Sequence, residues 1–138
     1  MNFQKLIMKA GNNVFLDTNI VIDIFKNKEG LKGKLPKTKF ALSVIVAAEL
    51  LFGAENSSNT ARHKEEVERF IKACSIFDIT LQTAEYYSKI KSQLRKAGNP
   101  IPENDIWIAA ICVQNNGQLL TNDQHFFYIE GLNLSKME

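Results

Sequence analysis

Long apolar runs are absent from this sequence of 138 residues. None approaches the roughly 20 residues that a membrane-spanning helix needs, and residues 1–12 lack the continuous apolar core of a signal peptide. Cysteine is scarce. Cys74 and Cys112 each lie in or beside an apolar stretch, with no CxxC spacing and no histidine partner. That argues against a disulfide framework or a thiolate metal site and fits buried thiols in a reducing compartment. Nor is there an excess of one charge: 17 Lys and Arg against 15 Asp and Glu leave a formal +2, a balance that does not by itself announce a polyanionic partner. Internal repeats, low-complexity segments and domain linkers are missing too. What these absences leave is one cytoplasmic domain. Its 45% hydrophobic and 23% charged residues are the proportions of an ordinary globular protein with a real core.

What the sequence does have is an abrupt transition at residues 14–23. Val14-Phe15-Leu16 is apolar, β-rich and too short for a helix, so it reads as a buried strand. It ends in Asp17. Thr18 and Asn19 are N-cap types, and Ile20, Ile24 and Phe25 follow at helical spacing. Asp17 is therefore expected at the carboxyl end of a strand and beside a helix N-terminus, the edge of an open parallel sheet where ligands bind. Taken alone, Asp17 reads equally as a turn residue or a helix cap.

The same alternation continues. Residues 1–12 form an N-terminal arm ahead of a single domain over 13–138, and Met8 offers a second in-frame start. Residues 26–39 carry six lysines (Lys26, Lys28, Lys32, Lys34, Lys37, Lys39) against one glutamate. They form a solvated loop or, functionally, a rim for phosphate contacts. Phe40-Ala41-Leu42 is the second strand. Ser43 caps a helix over 44–52 that Gly53 stops, apolar almost all round and so expected to be buried. Glu49 lies in its middle with no basic residue nearby in sequence, and a buried carboxylate needs a partner. Residues 60–73 form a helix with Val67, Phe70, Ile71 and Cys74 inward and His63 among exposed charges. Ile76-Phe77 is the third strand, and residues 83–97 a helix that Gly98-Asn99-Pro100 stops. Asp105 falls in the first turn of a core helix over 106–115, where an acid also suits the helix dipole. Gln118-Leu119-Leu120 is the fourth strand, followed again by an acid, Asp123. Residues 124–128 form a helical turn and 132–134 an edge strand. His125 is read as structural, since nothing beside it resembles a nucleophile. Alternation of this kind implies a parallel sheet of four or five strands covered on both faces, a three-layer α/β/α fold.

Right-handed crossovers can bring Asp17, Glu49, Asp105 and Asp123 to one edge of such a sheet. Together they would repel unless cations bound them. An all-oxygen donor set selects Mg2+ or Mn2+ over zinc, and such ions can activate water for attack on phosphorus.

Four blocks carry a resemblance. Leu16-Asp17-Thr18-Asn19; Ser43 with Glu49-Leu50 and Gly53; Asn104-Asp105-Ile106-Trp107-Ile108-Ala109-Ala110; and Leu120-Thr121-Asn122-Asp123 with Phe126 closely resemble the PIN-domain signature. Their order and spacing are similar to those of the VapC toxins of bacterial and archaeal toxin–antitoxin pairs. The resemblance spans residues 14–134. It implies a Rossmann-like three-layer PIN-like fold and a Mg2+- or Mn2+-dependent endoribonuclease. It implies metal-binding, catalytic acids at Asp17, Glu49, Asp105 and Asp123, with Thr121 and Asn19 supporting the site. It also implies a homodimer held inactive by a VapB-type antitoxin. On this reading hydrolysis leaves 5′-phosphate and 3′-hydroxyl ends, and the six lysines are the candidate RNA contacts. The arm at residues 1–12 departs from the pattern, since many relatives begin almost at the first strand.

Three other readings compete. A haloacid-dehalogenase-type phosphatase needs a second acid two residues after the first, where this chain has Asn19. A receiver-type phospho-acceptor domain needs a Lys that Thr121-Asn122-Asp123 lacks. A non-catalytic PIN-like RNA-binding module would usually have lost acids that this chain keeps.

Overall fold

The computed structural model describes residues 13–26 and 39–135. The N-terminal arm expected over 1–12, the second start at Met8, and Lys28, Lys32, Lys34 and Lys37 lie outside the described residues. Among the described residues the strands are β1 Val14–Leu16, β2 Ala41–Ser43, β3 Ser75–Phe77, β4 Gln118–Leu120 and β5 Asn133–Ser135. The helices are α1 Thr18–Lys26, α2 Val44–Glu55, α3 Thr60–Lys72, α4 Leu81–Ala97 and α5 Glu103–Gln114, with a 3-10 turn at Gln124–Tyr128.

The strands form one sheet in the order β3-β2-β1-β4-β5, every neighbouring pair parallel. Parallel strands need crossovers, which here carry α1 between β1 and β2, α2–α3 between β2 and β3, and α4–α5 on the return to β4. Right-handed paths for the outward and return crossovers put helices on both faces. The strands are three residues each, and β1, β2 and most of β4 are buried, which is why they read as short unbroken apolar runs rather than alternating ones. Phe15, Leu16, Leu42, Leu119 and Leu120 are each at most 1% exposed and pack with Ile20, Ile108, Ile111 and Phe126 from the helices and the turn. Gly117, just before β4, has a specific reason to be glycine: a Cβ there would lie 2.4 Å from the Phe15 ring.

The sheet changes direction between β1 and β4. The chain runs outward from β1 through β2 to β3, then returns to lay β4 on the other flank of β1. Such a switch opens a crevice at the carboxyl ends of the two strands. The ladder persists to its lip, where the Asp17 amide donates to the Leu120 carbonyl at 3.1 Å.

Several boundaries move. Asp17, rather than Thr18 or Asn19, stands before α1, its carbonyl accepting from the amides of Ile20 and Val21. Ser43 does cap α2, accepting from Val46 N at 3.1 Å, but Gly53 does not stop that helix. The i to i−4 ladder outweighs one glycine's cost of about 1 kcal/mol, and the helix runs to Glu55 with Asn56 as C-cap. Nor is α2 buried all round: Phe52 is 71% and Leu51 37% exposed. An apolar helix reports no direction, and only its Val46, Ala47, Leu50 and Ala54 face is covered. α4 begins two residues early because Thr80 and Thr83 form a reciprocal cap. β5 lies one residue later than expected.

Candidate functional site

All four acids meet at the carboxyl edge of the sheet, each delivered by a different connection. Asp17 follows β1 and is only 5% exposed. Its two oxygens are separately held: Oδ1 accepts from the Thr18 amide at 2.8 Å and Oδ2 from the Thr121 hydroxyl at 2.6 Å. Thr121, itself 1% exposed, also accepts from the Asp123 amide at 3.0 Å. One buried hydroxyl thus fixes the ends of β1 and β4 to each other. Asp123 Oδ1 accepts in turn from the His125 amide at 3.0 Å, which starts the 3-10 turn.

Glu49 reaches the site from the second turn of α2. Its Oε1 accepts from the Thr18 hydroxyl at 3.0 Å, which ties α2 to the first residue of α1. This is the partner that the sequence around Glu49 does not contain. Asp105, in the first turn of α5, completes the set. An oxygen of Asp105, an oxygen of Asp123 and a ring nitrogen of His125 all lie within 4.8 Å of one another.

The electrostatics follow from that crowding. Burial pushes the Asp17 carboxyl above the usual carboxylate range; hydrogen bonds from Thr121 and Thr18 oppose it, and repulsion from Asp123 adds to it. Burial raises Glu49 too, against the Thr18 hydrogen bond and with repulsion from Asp17 and Asp105. Asp105 is raised by burial and by Asp123 and Asp17, with His125 pulling the other way. These mutual repulsions place the four carboxyls in one electrostatic neighbourhood.

His125 is the residue that sequence reasoning set aside. Its Nδ1 lies 2.9 Å from Asp105 Oδ2 and 3.1 Å from Asp123 Oδ1. The available signal was its spacing, two residues after an acid in a strand-terminal turn. Thr18, an N-cap type by sequence, instead uses its hydroxyl to bridge to Glu49, a contact no local pattern signals. Asn19 is exposed on the first turn of α1, and it is Thr18 that reaches the neighbouring acid. Lys26 lines a cavity of about 550 Å3 beside Glu49, together with Ile22, Leu50 and Arg62. Lys39 precedes β2, at the opposite edge of the sheet from the acids.

The donor set fits a hard divalent cation. Asp105, Asp123 and His125 offer two carboxylates and one imidazole close together, with no thiolate, while Asp17 and Glu49 stand nearby, held by Thr18 and Thr121. Among the described residues His125 is the one basic side chain paired with these acids, and it could offset at most one of four negative charges. A divalent ion would relieve the excess.

Comparison with known proteins gives consistent matches. The PIN domain family matches residues 14–132. The chain is 33% identical over 113 residues to "Ribonuclease VapC1" of Haemophilus influenzae, covering 78% of this chain and 84% of that protein. It is 29% identical over 115 residues to the "tRNA(fMet)-specific endonuclease VapC" of Shigella flexneri, covering 81% and 87%. Among solved structures, DNA-bound VapBC from Salmonella typhimurium superposes with a TM-score of 0.83 at 29% identity, over 91% of this chain and 98% of that one.

Proposed function

Because the chain belongs to the PIN-domain family and to its VapC group, we propose that it is a Mg2+- or Mn2+-dependent endoribonuclease, the toxin of a VapBC-type toxin–antitoxin pair. The observation that supports this reading is the gathering of Asp17, Glu49, Asp105 and Asp123 at one edge of the sheet, linked through Thr18, Thr121 and His125. A divalent ion, when bound, supplies the Lewis acid and the lowered water pKa that phosphodiester hydrolysis needs. In this assignment Asp17, Asp105 and Asp123 hold the ion or ions, and Glu49 binds directly or through water. Thr121 keeps both Asp17 and Asp123 in place, and Thr18 does the same for Glu49. Cleavage leaves 5′-phosphate and 3′-hydroxyl ends, so the 2′-hydroxyl is not the nucleophile.

Lys26 and Arg62, at the cavity beside Glu49, are well placed to receive the substrate's phosphates, with the lysines of residues 27–38 as further candidates. Cleavage should then weaken as salt rises. The exposed apolar side chains Ile22, Leu51 and Phe52 offer a protein partner a surface, which supports a VapB-type antitoxin and a homodimer. No described helix is long and apolar enough to cross a membrane, and the proposed setting is the cytoplasm. The test is direct. Asp17→Asn and Asp105→Asn should each abolish Mg2+-dependent cleavage of RNA and relieve growth arrest on expression. Full cleavage by both variants would overturn the assignment.

A further inference from the structure

We propose that His125 is a nitrogen ligand to the divalent ion held by Asp105 and Asp123, and that it biases the site toward Mn2+ over Mg2+. The inference rests on the proposal above that these two acids bind an ion, and goes beyond it in assigning the third donor.

The argument begins with distances. A six-coordinate ion with bonds of about 2.1 Å places adjacent donors about 3 Å apart. His125 Nδ1 stands 2.9 Å from Asp105 Oδ2 and 3.1 Å from Asp123 Oδ1, the separation that neighbouring corners of one coordination shell require. The three donor atoms lie within 4.8 Å of one another, so small side-chain rotations bring all of them into one ion's shell while the helix and the turn stay in place.

The backbone prepares this arrangement. The His125 amide donates to Asp123 Oδ1 at 3.0 Å, which fixes the turn that carries the ring. Phe126, the next residue, is fully buried and anchors the turn from below. The imidazole itself is 45% exposed, so its Nδ1 edge faces the acids while the rest of the ring meets solvent. Without an ion the Nδ1 edge hydrogen-bonds Asp105; with one bound, the tautomer carrying its proton on Nε2 presents a lone pair at Nδ1.

The selectivity follows from donor chemistry. Mg2+ prefers oxygen and gives up water reluctantly, whereas imidazole suits the first-row transition ions, and Mn2+ gains more from it. A site built of carboxylates alone would discriminate less.

The experiment uses the full chain and does not depend on cleavage. Mn2+ is titrated into the metal-free protein and followed by electron paramagnetic resonance, with pulsed measurements for nitrogen coupling and Mg2+ as competitor. The chain has two histidines, so His63→Gln is the control; His63 lines the cavity beside Glu49. Bound Mn2+ should show imidazole nitrogen coupling that His125→Gln removes and His63→Gln retains. Mn2+ affinity should fall at least about tenfold in His125→Gln, since even outer partners of metal ligands are worth that much. Mg2+ affinity should change by less than about threefold, because water replaces the nitrogen at little cost to a hard ion. A urea melt confirms that the variant is folded. Saturable Mn2+ binding without nitrogen coupling, coupling that survives His125→Gln, or equal losses for the two ions would overturn the inference and leave the acid site standing. Absence of saturable Mn2+ binding in the unmodified chain would overturn the ion site itself, and this inference with it.

Discussion

Replacing Asp105 by Asn should make the metal-free protein more stable, although it removes a residue assigned to the site. Oxygens of Asp105 and Asp123 lie within 4.8 Å, and their side chains are only 14% and 27% exposed. At an effective dielectric constant of 20, two unit charges at that separation repel by about 3.5 kcal/mol. Water in the open crevice reduces the figure, and weakening the His125 contact sets about 1 kcal/mol against it. A net gain of about 1–2 kcal/mol remains. For 138 residues the unfolding entropy is about 0.3 kcal/mol/K, so Tm should rise by roughly 3–7 °C. The assay is calorimetry in chelator-treated buffer at pH 8. The sign with pH is fixed by the raised Asp105 carboxyl. The folded state holds that proton more tightly than the unfolded chain, so its contribution to stability is lost as pH rises from the unfolded pKa through the folded one. The advantage of Asp105→Asn should therefore be full above that window and vanish below it, where Asp105 is already neutral. Saturating Mn2+ should reverse the order by stabilising the unmodified chain more. A lower Tm for Asp105→Asn in metal-free buffer at pH 8 would refute the reasoning, because it would mean that protein groups already satisfy these charges.

Two further outcomes test other parts of the structure. Thr121→Val keeps the shape but removes the donor to Asp17 Oδ2 and the acceptor for the Asp123 amide; urea unfolding should show a loss of about 1–3 kcal/mol, and an unchanged midpoint would mean the hydroxyl is not what joins the two strand ends. Burial pushes the Cys74 thiol up to about 11 and the Cys112 thiol up to about 12, so neither should react with a thiol reagent at pH 8 until the chain unfolds, and rapid native labelling of Cys112 would contradict its place in the core.

The sheet was legible because its strands are short, apolar and bounded. Val14–Leu16 and Gln118–Leu120 were placed to the residue, since Asp17 and Thr121 interrupt runs that have no polar face. The acids were legible for a related reason. A carboxylate that ends a buried strand, or sits inside an apolar helix as Glu49 does, violates burial rules unless something unusual satisfies it. Helix ends were less legible, because propensity competes with packing there. Gly53 has the character of a stop, yet α2 continues to Glu55, and α4 starts ahead of the expected residue 83 because Thr80 and Thr83 pair as a cap.

What escaped the sequence is pairwise and depends on turn geometry. Thr18 and Glu49 are 31 positions apart, and Asp105 and His125 are 20; no local pattern joins them. Each contact exists because a turn of fixed conformation aims a side chain across the crevice. The Asp17 oxygens orient the start of α1, which presents the Thr18 hydroxyl to α2. Thr121 and Asp123 orient the 3-10 turn, which presents the His125 ring to α5. The two devices are alike in form: an acid just past a strand accepts from the backbone that follows it, and a polar side chain one or two residues on reaches an acid on a helix. The same hydrogen bonds that close the helix and the turn therefore also assemble the cluster. Loss of either strand-end acid should disturb its partner acid as well as itself.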